Sequence, residues 1–376
     1  MMAKRSINII IAGGGTGGHL FPGVALARCF MERNLENRVL FVGTDREFEC
    51  RTLEREGFDH LAIRAAGIKG LGIFGKLKAA FKIPGALFQS SSIINEFKPD
   101  IIIGVGGYSS GPVALAAWLK GIPVVVQEQN ILPGITNKIM GRFASRIHVS
   151  FDESLGFFNA GKVMMSGNPV RQIILDARKR RDQRKADEQT RLFTLLVAGG
   201  SQGARSINKA MVEALGFLTD KENLHVIHQT GETDCEAVRD AYVREGISAE
   251  VSAFYTDMDV QYERADLVIC RAGATTLSEI TVMGLPSVLI PFPFAADNHQ
   301  VKNAMSLVDK KAAEMIEDKE LTGGFLAGRI TYFRENPDEL WRMEKASLAY
   351  GKPEAAETIV EDCYRVMEIK QDSLNE

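Results

Sequence analysis

The sequence predicts an α/β protein with two similar domains, each built on a parallel β-sheet covered by helices. Short apolar segments rich in β-branched residues alternate with longer amphipathic ones, which is the pattern of βαβ units. A glycine-rich segment follows the first apolar segment, residues 7–12, and another follows residues 193–198, about half the chain later. The length of 376 residues also suits two domains better than one core.

Ten segments are predicted to be strands, because they are short and apolar, as buried parallel strands are. They are residues 7–12, 39–43, 101–104, 124–127 and 147–149 in the first half, and 193–198, 224–229, 251–254, 267–270 and 287–291 in the second. Helical stretches lie between them. Each half is therefore expected to be a doubly wound, Rossmann-like domain.

The domain boundary is expected between residues 168 and 191. Residues 176–191 are highly charged and have few large apolar side chains. Acidic residues are interleaved with the basic ones, which favours a solvated linker or helix face over a nucleic-acid patch. We therefore expect domains at residues 1–171 and 172–350, and a C-terminal helix within residues 351–376 that packs back on the first domain.

Composition and charge exclude several classes of protein. A net charge of −3 gives no general attraction to nucleic acid, and no apolar segment approaches the roughly 20 residues of a membrane span. The five cysteines are scattered, so neither a disulfide framework nor a structural zinc site is expected. His225 and His228 would point to opposite faces of a strand, and we expect no metal and no cofactor. Residues 7–12 run directly into glycines, so they are interpreted as a strand rather than a signal peptide.

Three glycine-rich segments follow predicted strands and are candidate phosphate-binding loops: residues 13–18, 104–112 and 199–204. Glycine lets the backbone approach a phosphate closely, and the next helix N-terminus supplies amide groups and a partial positive charge. Residues 13–18 also match the dinucleotide pattern G-x-G-x-x-G, although no acidic residue is well placed about 20 positions later. Residues 70–76 nearly form a P-loop, but Leu77 replaces the required Ser or Thr.

Several motifs, in order along nearly the whole chain, resemble those of the MurG family of GT-B glycosyltransferases. They are GGTGGH at 14–19, FPG at 21–23, GGY at 106–108, QEQN at 127–130, GNPVR at 167–171, GGSQGA at 199–204 and CRAGATTLSE at 270–279. The family adds N-acetylglucosamine from UDP-N-acetylglucosamine to undecaprenyl-diphospho-N-acetylmuramoyl-pentapeptide in peptidoglycan synthesis. The resemblance implies a hexosyltransferase with two Rossmann-like domains whose parallel sheets face a cleft. It also implies inversion at the anomeric carbon, giving a β-1,4 bond.

The resemblance further implies a UDP-sugar site made largely by the second half. Amides of residues 273–279 would hold the diphosphate, and Glu279, placed on the first turn of a helix, would bind the ribose hydroxyls. Residues 276–279 also have the sequence of a capping box, which is the structural alternative for Glu279. Thr16, Gly17 and Gly18 would contact either ligand, and Asn130 could orient either sugar. The residues expected to bind the donor or the other substrate are Thr16, Gly17, Gly18, Asn130, Arg171, Ser201, Tyr255, Ala274, Thr275, Thr276, Leu277, Ser278, Glu279 and Gln300.

An acceptor site is expected in the first half. The residues expected at the acceptor diphosphate are Gly14, Gly15, Gly106, Gly107 and Tyr108. Inverting transfer needs a base for the incoming hydroxyl. His19 is the first candidate, since it follows the first glycine loop and imidazole titrates near neutral pH, and phosphate binding is its alternative role. Glu128 is the second candidate.

A lipid-linked acceptor implies contact with the anionic membrane surface. The sequence has no acidic residue between Asp59 and Glu96, and this interval carries basic and apolar residues together. They are Arg64, Lys69, Lys76, Lys78 and Lys82 with Leu71, Ile73, Phe74, Leu77, Phe81, Leu87 and Phe88. The pattern suits peripheral binding at the cytoplasmic face of the inner membrane, and an amphipathic core helix is the alternative.

Four other functions remain open at the level of sequence. A UDP-sugar 2-epimerase or a glycolipid synthase would use the same fold. An NAD-dependent oxidoreductase would use residues 13–18 and leave the second glycine loop unexplained. A non-catalytic two-domain sugar-binding protein would be expected to carry an export signal.

Overall fold

The structure is a computed structural model that describes residues 6–64, 73–187, 192–200 and 203–375. The chain forms two compact units. The first consists of Met1–Arg171 together with Pro353–Glu376, and the second is Gln172–Lys352. Each unit contains one parallel sheet with its own helices.

In the first unit, the described residues form seven strands. They are β1 (Asn8–Gly13), β2 (Arg38–Gly43), β3 (Asp59–Ala62), β4 (Ile101–Gly106), β5 (Val124–Glu128), β6 (Arg146–Val149) and β7 (Val163–Met165). The helices that accompany them are α1 (Gly17–Arg33), α2 (Glu47–Arg55), α3 (Ile73–Phe97), α4 (Ser110–Leu119) and α5 (Ile135–Met140). The strand order is β3-β2-β1-β4-β5-β6-β7, and every pairing is parallel.

Six strands are found in the described part of the second unit. They are β8 (Phe193–Ala198), β9 (Leu224–Gln229), β10 (Ser248–Ser252), β11 (Leu267–Cys270), β12 (Ser287–Leu289) and β13 (Glu314–Met315). Its helices are α6 (Gln172–Asp187), α7 (Arg205–Ala214), α8 (Cys235–Arg244), α9 (Met258–Arg264), α10 (Ala274–Met283), α11 (His299–Val308), α12 (Gly323–Glu335) and α13 (Pro337–Tyr350). The order is β10-β9-β8-β11-β12-β13, again parallel throughout.

The centre of the first sheet is covered on both faces. Ile10 of β1 pairs with Leu40 of β2 and Ile102 of β4. Ile9 and Ile11 belong to one buried apolar cluster, whereas Ile10 belongs to another on the opposite face. A strand buried on both faces needs apolar residues throughout, which is why β1 could be found in the sequence.

The topology fixes where a ligand can bind in each unit. β1 and β8 lie where the strand order reverses, and a glycine-rich loop follows each of them. In open parallel sheets, ligands bind beyond the carboxyl ends of the strands at such reversal points. The candidate loops are therefore placed where the fold offers a crevice.

All ten predicted strands are present, and three strands among the residues that the structure describes were missed. The missed strands β3, β7 and β13 are short and lie at sheet edges. Their residues are exposed or half-buried, so they lack the apolar signature of a central strand. β10 is also an edge strand with a polar sequence, and it ends two residues before the predicted segment does.

The C-terminal helix, α14 (Ala355–Asn375), packs against α1 in the first unit. Its apolar face joins the buried cluster through Ile359, Val360 and Cys363. Tyr364 accepts a hydrogen bond of 3.0 Å from the buried side chain of Asn37. Within the described part of the chain, no helix combines the length and the apolar character needed to cross a membrane.

A buried ionic cluster joins α14 to β6. Asp362 lies 2.9 Å from Arg146 Nε and 3.2 Å from His148 Nε2, and its side chain is only 4% exposed. Burial by itself raises the pKa of Asp362, but the hydrogen bond from His148 and the charge of Arg146 lower it below its ordinary value. A carboxyl whose pKa is lowered by folding stabilises the fold at neutral pH, and this contribution is lost as pH falls through the lowered pKa.

We predict that Asp362→Asn lowers the free energy of unfolding by about 3–5 kcal/mol at pH 7, since it leaves Arg146 without its buried partner charge. The difference from wild type should begin to shrink as the pH falls below about 4, where the carboxyl of the unfolded chain takes up a proton, and should disappear below the lowered native pKa. Urea unfolding across this pH range measures both effects. The control Glu361→Gln removes an exposed carboxylate on the same helix and should change stability by less than about 0.5 kcal/mol. Equal losses in the two variants would contradict the prediction.

Candidate active site

Two glycine loops of the first unit meet in direct backbone contact. Gly13 and Gly14 leave β1 with φ values of +143° and +146°. A Cβ atom on Gly13 would lie 2.3 Å from the carbonyl oxygen of Gly106, and one on Gly107 would lie 2.7 Å from that of Gly14. Both contacts are far below the van der Waals limit, so a side chain at either position would separate the loops. The structure therefore brings residues 13–15 and 106–107 together.

A buried carboxylate, Glu49 of α2, holds the first of these loops. It is 1% exposed, and its oxygens accept hydrogen bonds from the Gly15 amide at 2.8 Å and from the Thr44 amide and hydroxyl. Burial alone raises the pKa of Glu49, but hydrogen bonds from His60, Thr44 and Gly15 lower it below its ordinary value. The carboxylate is therefore ionised at neutral pH, and it acts as a fixed acceptor for the loop.

Gly15 is hydrogen-bonded through both its amide and its carbonyl oxygen. Its amide donates to Glu49, and its carbonyl oxygen accepts from Arg46 Nη1 at 2.6 Å. The amide expected at the acceptor diphosphate is thus directed into the protein. Sequence reasoning missed Glu49, because an acidic residue on an amphipathic helix carries no sign of burial.

His19 lies on the first turn of α1, half-buried beside both loops. Its Nδ1 atom is 3.0 Å from Oε1 of Gln129. Its ring also packs against Gly106, where a Cβ atom would lie 2.9 Å from the imidazole. The candidate base therefore lies beside the predicted phosphate loops, and its ring position is fixed by Gln129.

Glu128, the second candidate base, is 1% exposed and accepts hydrogen bonds at both oxygens. The amide of Asn130 donates at 2.9 Å to one oxygen, and the amide of Gly134 and the side chain of Asn137 donate to the other. This geometry suits an anchor for the loop between β5 and α5. Both oxygens of Glu128 thus accept hydrogen bonds from this loop and from α5.

The other predicted residues of the first unit lie around the loops. Thr16 is the exposed residue that precedes α1, and Tyr108 is 45% exposed beyond Gly107. The guanidinium of Arg171 lies over the ring of Phe21, 4.3 Å from its centroid, which places a positive charge beside the first turns of α1. The Asn130 side chain turns toward Glu128, at 3.4 Å.

In the second unit, the glycine loop after β8 passes close to the end of β9. Gly200 and Gly203 have φ values of +89° and +73°, and a Cβ atom on Gly203 would lie 2.1 Å from the carbonyl oxygen of Thr230. Ser201, a predicted phosphate contact, lies outside the described residues.

Gln229 links this loop to the segment after β10. From the sequence, this residue was placed only at the end of a predicted strand. Its side-chain amide donates to the Gly200 carbonyl and accepts from the Tyr255 amide, both at 3.0 Å. The Tyr255 hydroxyl donates to the carbonyl of Glu250. Burial raises the pKa of Tyr255 to about 12, so its phenol remains protonated at neutral pH.

Helix α10 begins earlier than expected. Gly273 is its N-cap, and the Leu277 amide is the first to bond within the helix, to the Gly273 carbonyl. Thr276 is therefore a helical residue, so the capping-box interpretation is wrong, and Glu279 lies on the second turn rather than the first. The hydroxyl of Ser278 donates to the helix backbone. The preceding amides belong to the positive end of the helix, where helices bind anions.

Glu279 and Gln300 are placed next to this helix end. Glu279 is 6% exposed and accepts a hydrogen bond of 3.2 Å from the Tyr262 hydroxyl. Gln300, near the start of α11, accepts from the Phe292 amide at 2.8 Å. Asn303 of the same helix donates to the Ala272 carbonyl, which ties α11 to the segment before α10.

Asp297 and Asn298, which precede α11, both have left-handed backbone conformations, with φ near +56° and +53°. Two consecutive non-glycine residues in this region carry strain, which is characteristic of binding and catalytic sites.

The buried histidine of this unit is structural. His228 lies between the Tyr242 hydroxyl at 3.0 Å and Asn208 Oδ1 at 3.1 Å, and burial lowers its pKa to about 3. It is neutral at physiological pH. His225 lies instead beside Ser248 and Glu250.

Comparison with known proteins shows the family to which this chain belongs. Residues 9–149 match the Glycosyltransferase family 28 N-terminal domain, and residues 194–359 match the Glycosyltransferase family 28 C-terminal domain. A UDP-N-acetylglucosamine–N-acetylmuramyl-(pentapeptide) pyrophosphoryl-undecaprenol N-acetylglucosamine transferase of Myxococcus xanthus is 48% identical over 96% of this chain and 93% of its own. The chain belongs to the MurG family. The crystal structure of Acinetobacter baumannii MurG is 30% identical with a TM-score of 0.76, covering 94% of this chain and 98% of that one.

Membership of this family confirms the predicted GT-B fold and the assignment to the UDP-N-acetylglucosamine-dependent glycosyltransferases. The crystal structure of UDP-GlcNAc 2-epimerase from Neisseria meningitidis is also similar, with a TM-score of 0.68, covering 96% of this chain and all of that one. Its sequence identity is only 12%, so the likeness is one of fold alone.

Proposed function

We propose that the chain transfers N-acetylglucosamine from UDP-N-acetylglucosamine to the C4 hydroxyl of undecaprenyl-diphospho-N-acetylmuramoyl-pentapeptide. The observation that carries the proposal is the 48% identity to the Myxococcus xanthus transferase along almost the whole chain. Each of the two units has a loop and helix N-terminus suited to a phosphate. A reaction between a nucleotide diphosphate-sugar and a lipid diphosphate needs two such sites.

The second unit binds the donor. Amides of Ala274, Thr275 and Thr276 at the start of α10 contact the UDP diphosphate, and the dipole of the helix stabilises the charge that develops as UDP leaves. Glu279 accepts hydrogen bonds from the ribose hydroxyls while Tyr262 holds one of its oxygens. Gln300, beside the strained turn, contacts the sugar.

The first unit binds the acceptor and supplies the base. The loops at residues 13–15 and 106–108 surround the acceptor diphosphate, and Arg171 adds a positive charge near the same end of α1. His19 removes the proton from the acceptor hydroxyl. The freed oxygen attacks the anomeric carbon from the face opposite UDP, the bond to the diphosphate breaks, and its electron pair leaves with UDP. Attack from the opposite face inverts the anomeric configuration.

The first unit also presents a surface suited to a membrane. At the end of α4, Trp118 and Leu119 are 48% and 68% exposed and stand next to Lys120. On the adjoining α5, Ile139 is 52% exposed beside the exposed Lys138. Large apolar side chains ringed by lysines bind anionic bilayers peripherally. We propose that this surface contacts the cytoplasmic leaflet of the inner membrane and that the chain does not bind nucleic acid.

Part of the segment singled out by its lack of acidic residues lies in α3. Phe88 of α3 is 78% exposed, and α3 packs against α4. The side chains of most of its other basic and apolar residues lie outside the described residues.

The function is tested by incubating the protein with UDP-N-acetylglucosamine and lipid-linked muramoyl-pentapeptide. We expect release of UDP together with a disaccharide-lipid, and no UDP release when the acceptor is omitted. Epimerisation or hydrolysis of UDP-N-acetylglucosamine without acceptor would favour the epimerase, and binding of NADH in place of UDP would favour the oxidoreductase.

Two substitutions should separate the roles of the units. His19→Ala is expected to lower kcat about 10²–10⁴-fold, the range typical of a lost general base, with unchanged affinity for UDP. Glu279→Ala is expected to weaken UDP binding about 10–100-fold, as loss of charged hydrogen bonds does. Glu236→Ala, an exposed carboxylate of the same unit, is the control for Glu279. Steady-state kinetics and calorimetric titration measure the two effects. Undiminished turnover in His19→Ala would exclude His19 as the base.

A further inference from the structure

A chain of buried side-chain amides leads to the imidazole of His19. Gln127 is fully buried and donates through Nε2 to Asn168 Oδ1 at 3.0 Å and to Ser150 Oγ at 3.3 Å. Gln129, 1% exposed, donates through Nε2 to the Val105 carbonyl at 2.8 Å and to Oε1 of Gln127. Both glutamine side chains therefore have the same direction, with the NH₂ group toward Asn168 and the oxygen toward His19.

The orientation of each amide follows from its partners. The Val105 carbonyl accepts only, so the Gln129 group that faces it must be the NH₂ group. The Oε1 atom of Gln129 then faces Nδ1 of His19 at 3.0 Å. An amide oxygen accepts only, and therefore Nδ1 must carry the proton.

We propose that Gln129 is a positioning residue that holds His19 in the Nδ1–H tautomer, leaving the Nε2 lone pair to accept the proton of the acceptor hydroxyl. In the other neutral tautomer, Nε2 carries the proton and cannot act as a base. The hydrogen bond from Nδ1 to Gln129 is present in both the neutral ring and the imidazolium. Proton transfer to Nε2 thus requires no rearrangement of the amides.

The partner of His19 is neutral, unlike the carboxylate of a Ser-His-Asp triad. The charged groups on the neighbouring elements are already bound elsewhere. Glu128 is bonded to the loop that precedes α5, Glu49 to Gly15 and Thr44, and Arg171 lies over Phe21. The tautomer of His19 is thus set by an amide oxygen rather than by a charge.

The inference rests on the proposed function for its catalytic consequence, but the tautomer can be measured without turnover. Two-bond ¹H–¹⁵N correlation spectra of ¹⁵N-labelled protein above the imidazole's titration range distinguish a protonated ring nitrogen from an unprotonated one. The resonances of His19 are identified by their loss in His19→Ala. We expect a protonated Nδ1 and an unprotonated Nε2 in the wild-type protein. A protonated Nε2 would overturn the proposal.

Variants then test whether Gln129 holds His19 in the Nδ1–H tautomer. Gln129→Met keeps an unbranched side chain but removes the acceptor, and it should shift the ring nitrogens toward the other tautomer and lower kcat about tenfold. UDP affinity and the KM for the acceptor should stay within twofold of wild type. Gln127→Met, one amide further along the chain, should have the same effects to a smaller degree. Asn37→Leu removes a buried amide of the same unit that does not contact His19, and it should leave the tautomer unchanged.

The outcomes separate the two proposals. Wild-type kcat and tautomer in Gln129→Met would overturn the role of Gln129, even if the chain transfers the sugar. A wild-type protein that shows the Nδ1–H tautomer but forms no disaccharide-lipid would contradict the proposed function and leave the tautomer assignment standing. Loss of kcat in Asn37→Leu equal to that in Gln129→Met, with an unchanged tautomer in both, would reduce Gln129 to a general packing role.

Discussion

The structure of the candidate active site depends on the close approach of two peptide backbones. The loops that follow β1 and β4 touch at Gly13, Gly14, Gly106 and Gly107, at distances that no Cβ atom would permit. Parallel strands bring their carboxyl ends to one edge of a sheet, so the loops that follow two neighbouring strands lie close together there. Glycine then allows the loops to pack against each other and leaves room for the ring of His19.

Buried polar groups hold these loops in place. Glu49, Glu128 and Gln129 are each almost completely buried, and each accepts or donates several hydrogen bonds. Gln229 serves the same purpose in the second unit. A buried polar network that is well satisfied specifies one conformation, whereas an unsatisfied one would destabilise the fold. Hydrogen bonds from His60, Thr44 and Gly15 outweigh burial and lower the pKa of Glu49, so the network favours its charged form.

The central architecture could be predicted from the sequence because it depends on local patterns. Buried strands such as β1 are apolar throughout, and glycine runs mark the turns that follow them. Edge strands such as β13 bury little apolar surface, so they leave no such pattern. The start of α10 was misplaced because a Thr-x-x-Glu sequence inside the helix resembles a cap, while the true cap is a glycine. The bonds from Gln129 to His19 and Val105 join residues distant in sequence, which no local pattern reveals.

The central claim is that each unit has its own phosphate site, made by amides at a loop and a helix N-terminus. Hydrogen–deuterium exchange in the presence of UDP, and separately of an acceptor diphosphate analogue, tests it most directly. UDP should slow exchange at residues 274–276 and leave residues 14–18 unchanged, and the acceptor analogue should do the reverse. Protection of residues 14–18 by UDP, with no effect at 274–276, would contradict the account.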